Sequence, residues 1–375
     1  MKLTNSAKHF TFISVGRIVG AGLHGIFYLL FASVLNPTLY GELIFLIALA
    51  ETFSIVSRFG LNHTITIFQA KNDNLMVQQV NLIAFLFTSI AAVILIPINL
   101  FVAILTLSMS FFVMAQHNLL GKRKFKKFMF ISLLQGSLVL TITIFMYFLL
   151  DINGILIGML ISNFLCSLAY WRSLSRITLS FNKIKENLKV LIHNFGVDLS
   201  TNLSRRIDKL LIVPILGFTT VGIFQFNTQI LFGLELIPLA LHSFLLAEES
   251  SGVKHKKLIY LIILLSIGIT ISLLIFAPLF VNQFFPDYSS GIFSLQILSL
   301  ALVPLTISAV YSAKLQSIKS TKVGFGAIIR IGSLILFIPT LGYWLEMVGL
   351  SIAILISAIS HVIFLVIIYH KSSVK

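Results

Sequence analysis

The chain has 375 residues, of which 58% are hydrophobic and 10% charged, and its mean hydropathy is +1.02. Charged residues approach a quarter of an ordinary soluble domain, so the composition excludes that class. A net charge of +15 suggests nucleic acid binding in a soluble protein. Here the basic residues flank apolar runs without an aromatic–basic recognition motif, so we expect no nucleic-acid partner.

Twelve apolar runs approach the roughly 20 residues needed to cross a bilayer as a helix. The connections between the runs alternate between two kinds. Six contain none of the 27 Lys and Arg residues, and the charged residues in them are all acids: Glu42, Asp151, Asp287 and Glu346. Basic loops stay on the cytoplasmic side, so the pattern predicts both termini inside and a multi-pass protein of the inner (cytoplasmic) membrane. The runs are 10–34, 42–60, 78–96, 98–118, 128–149, 154–174, 190–216, 221–246, 257–281, 288–313, 322–341 and 345–369.

The outward turns are short and contain helix-breaking residues, notably Asn36-Pro37, Pro97, residues 151–154, 217–222 and 342–349, and Pro286-Asp287. Aromatic residues near the predicted boundaries are expected to form interfacial belts. They are Tyr40, Tyr288, Tyr343 and Trp344 at the outer side and Tyr170 and Trp171 at the inner side.

The seventh run contains the polar segment 194–209 and can be interpreted in two ways. It is either an amphipathic helix on the cytoplasmic surface or a spanning helix that faces a wet interior. Removing one crossing would place every later basic loop outside, so the charge pattern favours the spanning helix.

A weak internal repeat relates the two halves: Leu35, Thr38, Gly41 and Phe45 match Leu216, Thr219, Gly222 and Phe226 at a constant offset. Six crossings in each half predict parallel repeats, between which transporters of this kind place their substrate. The sequence therefore predicts an all-α polytopic membrane protein with twelve transmembrane helices in two six-helix lobes, an N-lobe over residues 1–182 and a C-lobe over 183–375.

Ionisable residues inside the predicted spans are the candidate functional residues, since a charge at mid-bilayer costs about 2.5–3.5 kcal/mol. Snorkelling to the inner surface is the competing interpretation for Arg17 and Arg330, and the favoured one for Arg58. In the seventh run the polar residues share one helical face, where Asp208 could pair with Arg205. Six bases, Arg17, Arg58, Arg205, Arg206, Lys209 and Arg330, are predicted to line a cationic cavity, and four acids, Glu51, Asp198, Asp208 and Glu235, to pair with them or couple to an ion.

Other chemistry is weakly supported. The lone Cys166, scattered histidines and the lack of a P-loop string predict no metal, no cofactor and no enzymatic activity. Gln135 and Asn163 are expected to form hydrogen bonds between helices.

Five short motifs occur in order along the chain. They are Gly-Arg-Ile at 16–18, Asn-Pro-Thr-Leu-Tyr-Gly at 36–41, Arg-Phe-Gly-Leu at 58–61, Arg-Ile-Asp-Lys-Leu-Leu-Ile at 206–212 and Val-Gly-Ile-Phe at 221–224. Together they resemble the Wzx-type polysaccharide flippases of the MOP superfamily, which also contains multidrug exporters and the lipid II flippase. The resemblance in layout covers nearly all of the chain and implies a MATE-like fold with a cationic cavity, in which Arg17 and the segment from Arg206 to Asp208 occupy motif positions. Family members commonly carry an acid where this chain has Arg58.

The resemblance and the surplus of intramembrane bases together predict the translocation of a lipid-linked oligosaccharide on a polyprenyl diphosphate. Its partners would be membrane lipids and other polysaccharide assembly proteins. A MATE-like multidrug or cation antiporter would share the fold but requires an acidic cavity. A membrane polysaccharide polymerase would need a sizeable outer loop with catalytic residues, and the predicted outer connections are only turns.

Overall fold

The computed structural model describes residues 5–174, 180–203, 206–250, 255–317 and 323–373, and in these ranges the chain is helical without a β-strand. The predicted all-α polytopic fold is confirmed. A 3-10 turn, Pro286–Gly291, precedes α11. The helices are α1 (Asn5–Val34), α2 (Pro37–Arg58), α3 (Leu61–Ala70), α4 (Asn74–Leu95), α5 (Leu100–Gly121), α6 (Phe125–Leu174), α7 (Asn182–Glu186), α8 (Leu188–Asn202), α9 (Ile207–Ser250), α10 (Lys256–Phe284), α11 (Ile292–Ser299), α12 (Leu302–Ser317) and α13 (Val323–Ser373).

Three long helices, α6, α9 and α13, each contain a sharp break. Nine stretches of the described chain are long and apolar enough to span a membrane, and two of them, of 44 and 48 residues, are long enough to span it twice. The breaks lie at Asp151 in α6, Gly217 in α9 and Glu346 in α13. All three fall in connections that the sequence predicted as outward turns.

The seventh predicted crossing is not one continuous helix. It consists of α8, which ends at Asn202, and the first part of α9, which begins at Ile207. Arg205 lies outside the described residues, so its predicted pairing with Asp208 cannot be followed. The single polar face predicted for 194–209 would run through residues 204 and 205, which lie outside the described residues, so that face stays a prediction.

The chain folds into two compact units. The first, unit 1, contains Met1–Phe27 and Leu46–Arg206, and the second, unit 2, contains Tyr28–Phe45 and Ile207–Lys375. These units are defined by packing, whereas the predicted lobes are sequence repeats, so a lobe division after residue 182 stays a prediction.

Within unit 2, α2 and α9 meet in a contact that is symmetric in the sequence. Thr38 Oγ1 lies 2.8 Å from Thr219 Oγ1, and these residues are 181 positions apart. A Cβ on Gly41 would stand 1.8 Å from the Phe218 carbonyl oxygen, and one on Gly222 would stand 2.0 Å from the Pro37 carbonyl oxygen. Gly41 and Gly222 are also 181 positions apart, and so are Pro37 and Phe218. The two helices therefore present equivalent surfaces to each other, as in a two-fold contact.

The outward turns of α6 and α13 also share one geometry. Asp151 and Glu346 have φ of 51° and 48°. Three residues later, a Cβ on Gly154 or Gly349 would stand 1.9 Å from a carbonyl oxygen of the preceding crossing. Glycine is thus required at both turns for the two crossings to pack closely.

The aromatic belt prediction is wrong for three residues. Tyr343 and Trp344 are 73% and 79% exposed, as a belt requires, but Tyr40, Tyr288 and Tyr170 are buried. Tyr288 donates from its hydroxyl to the Leu35 carbonyl at 3.1 Å and meets the Tyr40 ring edge-on at 6.0 Å. The hydroxyls of Tyr288 and Tyr170 bond protein groups, Tyr170 to Asn81, so these tyrosines belong to the protein interior.

Candidate functional site

Unit 1 contains a polar cavity of about 260 Å³ among α1, α5 and α6. No carboxylate is among its described lining residues, and Arg17 is the one lining side chain with a permanent charge. The lining residues are Gly16, Arg17, Gly20, Ala21, His24, Phe112, Gln116, His117, Leu120, Phe128, Ser132 and Gln135.

Glycines on α1 and on α6 let these two helices pack closely beside the cavity. A Cβ on Gly16 would stand 3.0 Å from the Met129 Cα, so α1 and α6 touch through their backbones there. Farther along, a Cβ on Gly136 would stand 2.8 Å from a methyl carbon of Leu23. The motif around Arg17 therefore serves packing, and it places the guanidinium on the cavity wall.

A hydrogen-bond chain fixes the polar wall opposite. Gln135 donates through Nε2 to Asn163 Oδ1 at 3.0 Å, so its Oε1 is free to accept from His24 Nε2 at 3.0 Å. Gln116 donates to Ser132 Oγ at 3.0 Å. The Gln135–Asn163 bond confirms the predicted interhelical hydrogen bond, and Gln135 faces the cavity as well.

Arg17 has no ion pair or hydrogen bond with any residue in the described ranges. Arg17 is an exposed residue of the cavity lining, and its substrate-binding role stays a prediction. A guanidinium in such a place has all five N–H donors available to a ligand.

Arg58 does not snorkel, which corrects the prediction made for it. Helix α3 continues ten residues beyond the predicted end of the second crossing, about 15 Å of rise, so Arg58 lies well inside the protein. Its side chain is 5% exposed and its NH2 group lies 3.9 Å from Asp198 Oδ2, while NH1 donates to Ser54 Oγ.

The Arg-Phe-Gly-Leu motif creates the contact that brings α8 to Arg58. Phe59 and Gly60 have φ of 48° and 72°, which separates α2 from α3. A Cβ on Gly60 would stand 2.3 Å from the Phe195 backbone nitrogen, and the rings of Phe59 and Phe195 stack at 4.3 Å. Since Asp198 follows Phe195 by about one turn, this close approach holds its carboxylate beside Arg58.

The other predicted residues divide into paired and unpaired groups. Arg206 Nε lies 2.6 Å from Glu51 Oε2 in unit 1, and Lys209 Nζ lies 2.8 Å from Asp208 Oδ2 in unit 2. For Glu235 and Arg330, the described part of the chain supplies no oppositely charged partner; both are partly exposed. The Arg330 carbonyl accepts from Ser357 Oγ at 3.1 Å.

Solved structures show where this architecture has been seen. No protein-family model and no curated protein matches the chain. An outward-facing multidrug resistance MATE family transporter of the MOP superfamily is 18% identical and aligns over 98% of this chain and 96% of its own, with a TM-score of 0.64. The lipid II flippase MurJ in an inward closed conformation is 15% identical over 97% of this chain and 81% of its own, with a TM-score of 0.64.

A third neighbour is a MOP superfamily transporter from Pyrococcus furiosus whose reverse polarity of the binding pocket suggested a different function. It is 17% identical and aligns over 98% of this chain and 96% of its own, with a TM-score of 0.60. The fold is that of the MATE-type transporters.

Within this MATE-type fold, the sequence analysis missed part of the cavity. His24 and His117 were not among the predicted cavity residues, yet both line the cavity with Arg17. The available signal was Gln116-His117, two adjacent polar residues at the inner end of an otherwise apolar run. Such a pair is expensive against lipid, so its presence favours a polar interior.

Proposed function

We propose that the protein translocates a lipid-linked oligosaccharide, a sugar repeat unit on a polyprenyl diphosphate, from the inner to the outer leaflet of the cytoplasmic membrane for surface polysaccharide biosynthesis. The observation that carries the proposal is Arg17, an exposed guanidinium in a cavity whose described lining contains no carboxylate. A guanidinium binds phosphate oxygens through two parallel hydrogen bonds, which makes it suited to a diphosphate.

The neutral groups of the cavity suit the sugar that adjoins the phosphate. Gln116, Ser132 and Gln135 offer amide and hydroxyl groups, which exchange hydrogen bonds with sugar hydroxyls in either direction. At about 260 Å³ the cavity is smaller than most sites for drug-sized ligands. In this proposal it receives the phosphate and the first sugar, while the prenyl chain stays in lipid.

Energetics support outward movement of such an anion. One elementary charge crossing 100 mV changes the free energy by about 2.3 kcal/mol, so a dianion leaving a negative interior gains roughly 4.6 kcal/mol. Alternating access needs only that the head group be shielded from the apolar barrier during this step. The similarity in fold to a lipid II flippase is consistent with a lipid-linked substrate.

A MATE-like multidrug or cation antiporter is the competing function, because the neighbours include multidrug resistance transporters of equal structural similarity. A cationic substrate requires a carboxylate or an aromatic face where it binds. The lining of the unit 1 cavity offers Arg17 in place of a carboxylate, which favours an anionic substrate.

The test uses the full chain in proteoliposomes with a fluorescent prenyl-diphosphate-linked sugar, whose outward movement is followed with a membrane-impermeant quencher. Losing a charge-assisted bidentate contact costs about 1.5–3 kcal/mol. We therefore expect Arg17→Ala to slow translocation roughly tenfold to hundredfold. Arg17→Lys should recover part of the rate, because lysine keeps the positive charge but lacks the planar guanidinium that makes two parallel hydrogen bonds.

Lys126→Ala is the matched control, since Lys126 is an exposed base at the start of α6. It should translocate at the wild-type rate. Uptake of a cationic dye is measured in the same vesicles. Wild-type translocation by Arg17→Ala would refute the role of Arg17, and dye transport without lipid translocation would establish the antiporter instead.

A further inference from the structure

We propose that His63, Asp198 and His117 form a proton-binding site that is energetically linked to the Arg17 cavity, so that a proton and an anionic head group favour each other's binding. This inference rests on the proposed function for the identity of the anion. The site adjoins the cavity: His117 lines it, whereas His63 and Asp198 are not among its lining residues.

Asp198 is the centre of the site. Its side chain is fully buried and meets cationic or donor groups on α2, on α3 and on its own helix, α8. Arg58 lies 3.9 Å from Oδ2, and Oδ1 accepts from Asn202 Nδ2 at 2.7 Å and from Asn62 Nδ2 at 3.3 Å. These donors keep the carboxylate ionised, so a proton that enters the site goes to a neighbouring base.

His63 is that base. Its Nε2 lies 3.6 Å from Asp198 Oδ1, beyond hydrogen-bond distance, and Nε2 is buried without a hydrogen-bond partner in the described chain. A third of the side chain is exposed, so protons can reach the ring. When His63 is protonated, Nε2 becomes a charged donor aimed at the carboxylate, and a short movement closes the hydrogen bond.

His117 connects His63 to the cavity. The two rings meet edge-on with centroids 5.0 Å apart, and His117 lines the cavity with Arg17. Thr66 Oγ1 lies 2.9 Å from His117 Nδ1 and also within 3.2 Å of the carbonyls of Asn62 and His117. Its single proton can satisfy a carbonyl, so we assign Nδ1–H as the donor to Thr66, which leaves Nε2 of His117 as a hydrogen-bond acceptor.

Few other charged groups face this site. Helix α3 packs against α4, α5 and α8. Helix α4 carries no ionisable side chain and α5 carries His117 alone. On α8, Lys189 and His193 are exposed, so solvent screens them. Helix α2 carries Arg58, which pairs with Asp198, and Glu51, which pairs with Arg206. Among the described residues, the titratable groups that contact His63 are Asp198, at 3.6 Å, and His117, whose ring meets that of His63.

The linkage follows from the charge balance. With His63 neutral, Asp198 offsets Arg58 and the network has no net charge. Protonation adds one positive charge, separated from the cavity by one imidazole ring, and so raises the potential where a diphosphate would bind. Linkage is reciprocal, so anion binding must then draw a proton onto the site. A single linked proton changes the anion affinity by at most about tenfold per pH unit.

The test uses the full chain in lipid nanodiscs and farnesyl diphosphate as the probe. Its dissociation constant is measured by calorimetry between about pH 5 and 8, the range in which histidine titrates. Repeating the titration in buffers of different ionisation enthalpy counts the protons taken up. His63→Gln preserves the Arg58–Asp198 pair and cannot carry a proton, so it should still bind the probe but take up fewer protons than the wild type. The probe's own titration is common to both proteins and drops out of the difference.

His193→Gln, an exposed histidine on the same helix as Asp198, is the matched control and should take up as many protons as the wild type. Equal proton uptake by His63→Gln and the wild type overturns the inference. A second measurement needs no probe: the histidine side chains of ¹⁵N-labelled protein are titrated by NMR, and the signal missing from His63→Gln is assigned to His63. If His63 titrates but the wild type does not bind farnesyl diphosphate, the proposed substrate is refuted and the proton site stands. If His63 does not titrate, the proton site is refuted whatever the probe does.

Discussion

The symmetric contact between α2 and α9 gives the sharpest prediction. Ordinary van der Waals contact begins near 3.4 Å, whereas a Cβ would stand 1.8 Å from its nearest atom at Gly41 and 2.0 Å at Gly222. Replacement by alanine must therefore part the backbones by about 1.4–1.6 Å, the difference between these distances. Overpacking usually costs about 1–3 kcal/mol. We expect the upper end, because both opposing atoms are backbone carbonyl oxygens that cannot change rotamer.

The assay is reversible unfolding of the purified protein in mixed micelles, with the free energy of unfolding compared among single and double variants. Gly41→Ala and Gly222→Ala should each destabilise, and the double variant should cost less than the sum, because separating the backbones for one Cβ makes room for the other. Gly268→Ala is the control: it is a helical glycine with no heavy atom within 4 Å of the added Cβ, so helix propensity should stabilise it by up to about 1 kcal/mol. The reasoning is refuted if Gly41→Ala is as stable as Gly268→Ala.

Three further predictions concern the stability of the protein; the first two are tested by the same unfolding assay and the third by limited proteolysis. Asp151→Gly and Glu346→Gly should each stabilise by about 1 kcal/mol, since both acids hold a positive φ that glycine adopts without strain; a loss of stability in both would show that the carboxylates themselves are needed. Asp198→Asn should cost about 3–5 kcal/mol by leaving the buried Arg58 without its counter-charge, and the double variant with Arg58→Gln should recover part of that cost; additive losses would contradict the pairing. Gly60→Ala should destabilise and weaken the α3–α8 contact, which limited proteolysis of α8 would reveal, because its Cβ would overlap the Phe195 backbone; unchanged proteolysis would refute it.

The turns of this protein are readable from sequence because their causes are local. Asp151 and Gly154 combine a break in hydropathy with a residue that allows close backbone approach, and the structure turns there. The positive-inside pattern requires an even number of crossings between successive basic loops, and this requirement led to the prediction of twelve crossings. Helix α3 was missed for the opposite reason. Residues 61–70 contain Asn62, His63 and Gln69, so they look like a connection until the neighbouring helices that accept those polar groups are known.

Charge pairing was the part that sequence could not supply. An excess of bases over acids predicts that some bases lack a partner, but which ones depends on contacts between residues far apart in the chain. Arg58 and Asp198 are 140 positions apart and meet only because Gly60 admits α8. In the described chain this pairing leaves Arg17 as a base without a carboxylate, and the cavity contains it.

The buried pair also bears on why α8 is polar at all. Replacing a buried ion pair by well-packed apolar residues is often neutral or stabilising, so stability alone does not account for Arg58 and Asp198. An apolar pair would hold α8 against the end of α2 equally well, but it would remove the carboxylate that lies 3.6 Å from His63. A protein that needed only the packing could dispense with the charges. Asp198 lies beside His63, whose ring meets that of His117 at the cavity that contains Arg17, so the buried charges lie where the proposed proton site needs them.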